Sequence, residues 1–414
     1  MRTFCRADIL LPQNCEMNTW SVVACDQYTS EPEYWETVDA LTEGKPSTRH
    51  LILPEAELNA PDVQEKIDCI HETMAAYLEN GVFAVYPQSY VYVERTITSG
   101  KVRRGLIGCV DLEQYDYTVG SESAIRATEG TVLERIPPRL RVRRDAPVEL
   151  PHVLMLADDA QDVLLCGIAA SKDKYKKLYD FDLMQDGGHI TGWLVSKEDA
   201  DAFDARLDAF AEALPARYAD LSGKPMLFAV GDGNHSLATA KAKYEELKQQ
   251  HPGEDLSAHP ARWALVELEN IHDEALEFEP IHRVLTGVDA DALLKELQAA
   301  CCAETGMPLL CISAEKEFTV YLDPSKGELA VGILQNFLDA YLKGHPGEID
   351  YIHGDDVTRR LGSEPGAVGF LVPGIEKSQL FRGVIADGVL PRKTFSMGHA
   401  QEKRFYLEGR KIVD

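Results

Sequence analysis

The sequence predicts an α/β (or α+β) protein with mixed sheets and two lobes, one of which carries a site at a strand–turn–helix junction. Three patterns indicate this fold class. A strand-like run over 226–230 leads through a glycine-rich turn into an amphipathic helix, a hairpin-like pair of strands covers 90–110, and helices alternate with strands after residue 286. Hairpins and crossover helices together favour mixed sheets. We expect a main lobe over 1–285 and a smaller α/β lobe over 286–414.

Local patterns predict individual elements along the chain. A helix over 61–80 is expected to end where Gly81 supplies the left-handed C-terminal position. The other predictions include a helix from Ala124 to Arg135 that Pro137-Pro138 ends, a strand over 163–168, a helix near 200–214, and helices over 289–300 and 331–342.

Composition restricts the classes of function. The 414 residues are 45% hydrophobic and 27% charged, as in an ordinary globular protein, and their net charge of −26 argues against nucleic acid and anionic membranes as partners. The chain has no apolar run of transmembrane length, no signal-peptide core, and nine scattered cysteines without a C-x-x-C pair. We therefore expect a cytoplasmic, soluble, acidic protein that binds a small molecule.

The glycine-rich turn is the strongest candidate site. Glycines allow a ligand close to the backbone, and the unpaired N–H groups of a helix start favour an anion. An ionisable Asp and His at such a turn could perform acid–base chemistry. The predicted catalytic residues here are Asp232 and His235, and the predicted ligand-binding residues are Gly231, Gly233, Asn234 and Ser236. The alternative is an ordinary turn with Asn234 or Ser236 as the helix N-cap.

Two further segments carry candidate residues. Cys25 to Thr29 also lies between a predicted strand and a helix, so Asp26 and Tyr28 are predicted to bind ligand if the two strand ends meet in one cleft. His282 and Arg283 are predicted as a ligand-binding base and a catalytic anion binder. The alternatives are a turn-capping Asp26, a buried Cys25 thiol, and a surface pair at 282–283.

Five arginines lie within ten residues, at positions 135, 139, 141, 143 and 144. They form either an anion clamp or, as the simpler interpretation, an exposed face with ion pairs. No metal-binding pattern is present in the sequence, and the turn lacks the third glycine of the dinucleotide fingerprint, so neither a metal site nor NAD is predicted.

Taken in order, these motifs resemble the bacterial and archaeal family called domain of unknown function 1015, over nearly the whole chain. The matching segments are Ala24–Tyr28, Gly231–Ser236, Pro280–Arg283 and the closing Ala386–Phe395, which contains the predicted ligand-binding residue Lys393. The central motif of that family is similar to the helix-start motif of the ParB and sulfiredoxin superfamily, which includes free-serine kinases. In that comparison Asp232, Gly233 and His235 match, whereas Ser236 replaces an arginine.

The more distant resemblance implies a nucleotide with Mg²⁺ as cofactor, although the sequence itself identifies none. It leaves three functions open. The first is a small-molecule phosphotransferase in which Asp232 positions a hydroxyl or Mg²⁺, His235 is a base or donor, and Arg283 stabilises charge. The second is a hydrolase of a small anionic or amide substrate, and the third is a non-catalytic nucleotide or metabolite binder. Whether the chain is an enzyme, and its oligomeric state, also stay open.

Overall fold

The structure is a computed structural model that describes residues 2–391 and 393–413. The strands in these residues are β1 Phe4–Cys5, β2 Ala7–Pro12, β3 Val22–Val23, β4 Phe83–Ser89, β5 Val91–Thr96, β6 Val102–Asp111, β7 Tyr115–Asp116, β8 Ile125–Ala127, β9 Val148–Glu149, β10 Leu154–Ala157, β11 Lys176–Asp182, β12 His189–Leu194, β13 Phe228–Asp232, β14 Trp263–Asn270, β15 Phe278–Thr286, β16 Cys302–Ser313, β17 Glu317–Leu322, β18 Glu348–His353, β19 Ala367–Leu371, β20 Phe395–Met397, β21 Phe405–Tyr406 and β22 Arg410–Lys411. The helices are α1 Met17–Trp20, α2 Pro32–Thr42, α3 Val63–Glu79, α4 Ile136–Arg144, α5 Cys166–Ser171, α6 Lys197–Arg217, α7 Asn234–Gln250, α8 Ala290–Cys301, α9 Ala330–Tyr341, α10 Asp355–Gly362 and α11 Lys377–Asp387.

A ten-stranded sheet forms the larger part of the fold. Its strands follow the order β11-β12-β5-β6-β14-β10-β13-β8-β7, and β1 also pairs with β6. The predicted hairpin is confirmed as β5 and β6, which pair antiparallel, whereas β13 runs parallel to β8 and antiparallel to β10. The mixed α/β fold class is therefore confirmed, and the interior strand β13 carries the glycine-rich turn at its carboxyl end.

A six-stranded sheet lies in the C-terminal part of the chain. Its order is β17-β16-β19-β15-β18, and β20 also pairs with β15. The expected lobe boundary at 285/286 falls at the end of β15, whose residues from 278 onward already belong to the second sheet. The last strands return to the N-terminal half, because β21 pairs with β3 and β22 with β9. The division into two domains stays a prediction.

Most predicted helices are confirmed, among them α3, α6, α8 and α9. In α8 the buried residues Leu293, Leu294, Leu297 and Cys301 recur at helical spacing on one face, which explains why periodicity identified it. The predicted strand over 163–168 is wrong, since α5 begins at Cys166.

The predicted helix over 124–135 is also wrong. Ile125–Ala127 form strand β8, which joins the sheet beside β13 and is fully buried. The prolines taken as a helix stop instead lie in the first turn of α4, where a missing N–H costs nothing because that group has no intrahelical acceptor. Pairing with β13 overrode the local helix propensity of this segment.

No helix in the described residues combines the length and apolar character needed to cross a membrane.

Candidate functional site

The glycine-rich turn has a backbone that only glycine fits. β13 ends at Asp232, Gly233 adopts φ +78°, and α7 begins at Asn234. A Cβ on Gly233 would lie 3.0 Å from the Cα of Val153, so both the left-handed backbone and this close neighbour disfavour a side chain. Gly233 itself is the N-cap and no side chain caps the helix, so the alternative of an Asn234 or Ser236 cap is wrong.

The start of α7 carries polar groups without protein partners. The backbone N–H groups of Asn234, His235 and Ser236 donate to no acceptor in residues 2–391 and 393–413. The Asn234 side chain is 6% exposed, and its Oδ1 also lacks a hydrogen-bond partner among those residues. Free donors together with the helix dipole favour an anion at this position.

These groups line a cavity of about 710 Å³. Of the residues predicted from the sequence, Asp26, Gly231, Asp232, Gly233, Asn234, His235, Ser236 and Lys393 line it. The structure therefore brings the segment after β3 and the glycine-rich turn to one cavity, a juxtaposition that the sequence left open. A volume of this size is typical of a small-molecule site.

Asp232 is an ionised carboxylate in this cavity. Burial raises its pKa, but the Lys403 ammonium, 3.1 Å from Oδ2, and the N–H of Gly233, which donates to Oδ1 at 2.8 Å, lower the pKa below the ordinary range. Lys403 is brought here by the C-terminal segment, far from Asp232 in sequence. The pair places one negative and one positive charge beside the free N–H groups.

Three strand ends converge on the same point. Val230 pairs with Ala127 in the parallel β13–β8 ladder, so Glu129 follows β8 at the level where Asp232 ends β13. His152 precedes β10, whose Leu154 lies opposite Asp232. Both Glu129 and His152 line the cavity.

Glu129 differs from Asp232 in the direction in which its surroundings shift its pKa. Burial and the charge of Asp232 raise the pKa of Glu129, although the backbone N–H of Lys393 donates to its Oε2 at 3.3 Å and partly opposes this shift. Two neighbouring carboxyl groups with pKa values displaced in opposite directions are typical of sites that use one as proton acceptor and the other as a fixed charge. Among the described residues, no group of three or more His, Cys, Asp or Glu could hold a metal ion.

His235 has a defined hydrogen-bond role. Its Nε2 accepts from the backbone N–H of Val132 at 3.3 Å, and burial together with Arg139 and Arg135 lowers its pKa. A neutral ring that accepts at Nε2 carries its proton on Nδ1. The His235 side chain is thus arranged as a donor through Nδ1, not as a base through Nε2.

Three arginines of the cluster line the cavity, and two of them are held in ion pairs. Arg139 pairs with Glu55 at 2.5 Å, and Arg143 pairs with Glu149. Arg135 lines the cavity and has no carboxylate partner in the described part of the chain. The exposed Lys393 likewise has no ion-pair partner there. These two side chains are the cations left available for an anionic ligand.

Three predicted residues lie outside the cavity lining. Tyr28 stacks on Tyr34 with ring centroids 3.7 Å apart. His282 contacts Asp355, with 3.0 Å between Nε2 and Oδ1. Arg283 is fully buried in the second sheet and donates from Nε to Gln335 at 3.1 Å. Arg283 is therefore not placed to stabilise charge at the glycine-rich turn, because β15 directs it into the core of the C-terminal sheet.

Sequence reasoning missed Glu129, His152, Lys403 and Tyr406. The Tyr406 hydroxyl contacts Nδ1 of His152 at 2.8 Å and accepts from the backbone N–H of Cys25 at 3.2 Å, which links the two strand ends. Of these four residues, only Glu129 could have been identified from the sequence. If 125–127 had been identified as a parallel strand beside 228–232, the residue after it would have been expected at the same sheet edge.

Comparisons with known proteins identify a family for the chain. A family described as a protein of unknown function (DUF1015) matches residues 9–341. No curated protein matches the chain.

Solved structures that match the chain include SbnI with a C-terminal truncation from Staphylococcus aureus, at 12% identity and TM-score 0.36, covering 70% of this chain and 82% of SbnI. A mutant free serine kinase in complex with AMP is 10% identical with TM-score 0.39, covering 77% of this chain and 94% of the kinase. A conserved hypothetical protein from Pyrococcus furiosus is 11% identical with TM-score 0.34, covering 74% and 94% of the respective chains.

Proposed function

We propose that this chain, which belongs to the family of proteins of unknown function DUF1015, is a phosphotransferase that moves a phosphoryl group from a nucleotide to a small-molecule hydroxyl. One observation carries the proposal. The free N–H groups at the start of α7 and the ionised Asp232 line the same cavity as Arg135 and Lys393, two cations without carboxylate partners in the described residues. Phosphoryl transfer needs such donors and cations around the transferred group, together with a carboxylate for the acceptor hydroxyl.

The roles of the individual residues follow from their contacts. The N–H groups of Asn234 to Ser236 and the Nδ1–H of His235 donate to phosphate oxygens, and Arg135 and Lys393 neutralise their charge. The oxygen of the acceptor hydroxyl forms the new bond to phosphorus as the bond from phosphorus to the donor nucleotide breaks. Glu129, whose pKa is raised, accepts the hydroxyl proton. Asp232 stays ionised beside Lys403 and orients the hydroxyl.

A magnesium ion fits this arrangement through phosphate. Mg²⁺ is commonly held by one or two carboxylates together with phosphate oxygens, and the ionised Asp232 is the carboxylate at the cavity that would hold it. When bound, the ion would neutralise phosphate charge. The residues named above perform the binding, the orientation and the proton transfer.

Hydrolysis of a small anionic substrate is a second candidate, and Glu129 favours it. A buried carboxyl with a raised pKa can accept a proton from water as readily as from an alcohol. Product formed from phosphate esters without any nucleotide would select hydrolysis. Product formed only with a nucleotide would select phosphoryl transfer.

The proposed function is tested by incubating the protein with Mg²⁺, ATP or CTP, and a panel of hydroxylated amino acids and polyols, with products followed by ³¹P NMR. We expect a new phosphate ester in the wild type, and Asp232→Asn to lower its rate by about 10²-fold or more. Asp173→Asn is the matched control, because Asp173 is exposed in a turn remote from the cavity lining. Equal rates in the wild type and Asp232→Asn would refute the role of Asp232.

A further inference from the structure

A short extended segment at the cavity has unpaired backbone groups. Ile52 and Leu53 follow a 3-10 turn over Thr48–Leu51, and Ile52 has φ −126° and ψ 157°. Both residues are buried, at 6% and 5% exposure. Their N–H and C=O groups have no hydrogen-bond partner in residues 2–391 and 393–413. More than nine in ten buried backbone groups in proteins are paired, so this segment is an exception that requires a partner.

A molecule in the cavity can supply that partner, because Ile52 and Leu53 both line it. Neighbouring residues of an extended chain direct their backbone groups to opposite sides, so at most one of the two residues presents its N–H and C=O to such a molecule. Beside Leu53 the lining includes an apolar wall of Leu58, Met74 and Ala146, which belong to the same buried hydrophobic cluster. The same cavity contains the start of α7 and its free N–H groups. It therefore combines an end suited to anions with an apolar region whose edge offers backbone donors and acceptors.

We infer that the Ile52–Leu53 segment and the apolar wall beside it bind the base of a nucleotide whose phosphates lie at the start of α7. This inference rests on the proposed function. In an extended chain, the N–H and C=O of one residue point in the same direction, so a single residue presents an adjacent donor and acceptor. Nucleobases carry adjacent donors and acceptors on their edges and present flat faces that pack against apolar side chains.

Other occupants fit the cavity less well. A hydrocarbon chain would cover the apolar wall but leave unpaired the backbone N–H and C=O that face the cavity, which costs about 1–3 kcal/mol for each buried group. An inorganic phosphate would use the helix start and leave the apolar region empty. A nucleotide satisfies both parts of the cavity at once.

The test compares the affinities of ATP, GTP, CTP and UTP with that of tripolyphosphate, all with Mg²⁺, by isothermal titration calorimetry. We expect at least one nucleotide to bind at least about tenfold more tightly than tripolyphosphate. Met74→Phe should reduce that nucleotide to the affinity of tripolyphosphate while leaving tripolyphosphate binding unchanged. Ile70→Phe is the matched control, since Ile70 lies one turn earlier in α3, is also buried, and is not among the lining residues.

Each outcome separates the base site from the proposed function. If tripolyphosphate binds and no nucleotide binds more tightly, the base site is refuted and the phosphate site stands. If nothing binds, the proposed function fails as well.

Hydrogen exchange provides a second test of the base site if the Met74→Phe variant does not fold. In the wild type, the amide of Ile52 or that of Leu53, whichever faces the base, should exchange at least about tenfold more slowly with the bound nucleotide than with tripolyphosphate. Unchanged exchange of both amides would overturn the inference.

Discussion

Replacing Gly233 with alanine should be more harmful than replacing a comparable glycine elsewhere. Gly233 and Gly120 have nearly the same backbone, with φ +78° and +81°. A Cβ at Gly120 meets nothing within 4 Å, whereas a Cβ at Gly233 lies 3.0 Å from the Cα of Val153 and 3.1 Å from its Cγ2. Gly120→Ala therefore costs only the strain of a left-handed backbone at alanine. Gly233→Ala has the same strain and, in addition, a close approach to Val153, which directly precedes strand β10.

The expected losses of stability follow from the backbone strain and from the close approach. A left-handed backbone costs a non-glycine residue about 1–2 kcal/mol, and this term applies to both variants. Forcing extra atoms into a packed region costs about 1–3 kcal/mol more, and this second term applies to Gly233→Ala alone. We therefore expect the two variants to differ by about 1–3 kcal/mol in the free energy of unfolding.

Urea unfolding followed by circular dichroism measures this difference directly. A lower midpoint at an unchanged m-value would show that stability, and not the unfolded state, has changed. Equal losses in Gly233→Ala and Gly120→Ala would refute the argument, because they would mean that Val153 moves aside without cost. Tripolyphosphate affinity provides a second readout, since displacing the start of α7 should weaken it only in Gly233→Ala.

Three further predictions concern the groups around the site. Because the pKa of Asp232 is lowered, its pairing with Lys403 stabilises the fold above about pH 4, and this contribution is lost as the pH falls through the lowered pKa. Lys403→Met removes the group that lowers that pKa most and leaves burial, which raises it, opposed by weaker effects such as the N–H of Gly233. The stability difference from wild type in urea unfolding should therefore grow between pH 4 and pH 7. A difference independent of pH, or an equal loss in the exposed control Lys174→Met, would contradict this pairing. Burial raises the pKa of Cys25 to about 12, so iodoacetamide at pH 8 should modify the exposed Cys69 and Cys166 and spare Cys25 in peptide mass spectrometry. Alkylation of all three at similar rates would show that Cys25 is a reactive thiol. Arg95 donates to the backbone carbonyls of Gly187, Gln401 and Lys403, so Arg95→Lys should lower the free energy of unfolding by about 2 kcal/mol and speed amide exchange over 401–406. Unchanged exchange there would show that Arg95 does not hold the Lys403 segment.

The glycine-rich turn could be found from sequence because its signal is local. Five apolar residues, two glycines and an amphipathic helix occupy one continuous stretch, and the structure confirms the strand and the helix on either side. The helices α3, α6, α8 and α9 were predictable for the same reason. Strand β8 was not, because three residues contain too little pattern to outweigh a helical neighbourhood.

The charges around the turn were less predictable. The sequence offered Arg283 and the cluster at 135–144 as sources of positive charge, and nothing local distinguishes them. Pairing of β15 with β18 and β19 buries Arg283 in the other sheet. The position of α4 brings Arg135, Arg139 and Arg143 to the cavity, where Arg139 and Arg143 pair with carboxylates and Arg135 does not.

The sequence by itself determined the fold class, most of the long helices and the turn at Gly231–Ser236, because each depends on residues that are close together in the chain. Only the tertiary structure decided that Glu129, His152 and Lys403 meet Asp232, and that Arg283 does not. Those contacts depend on which strands pair and where the C-terminal segment returns. Pairing of this kind is decided by burial of whole sheet faces and not by any local pattern.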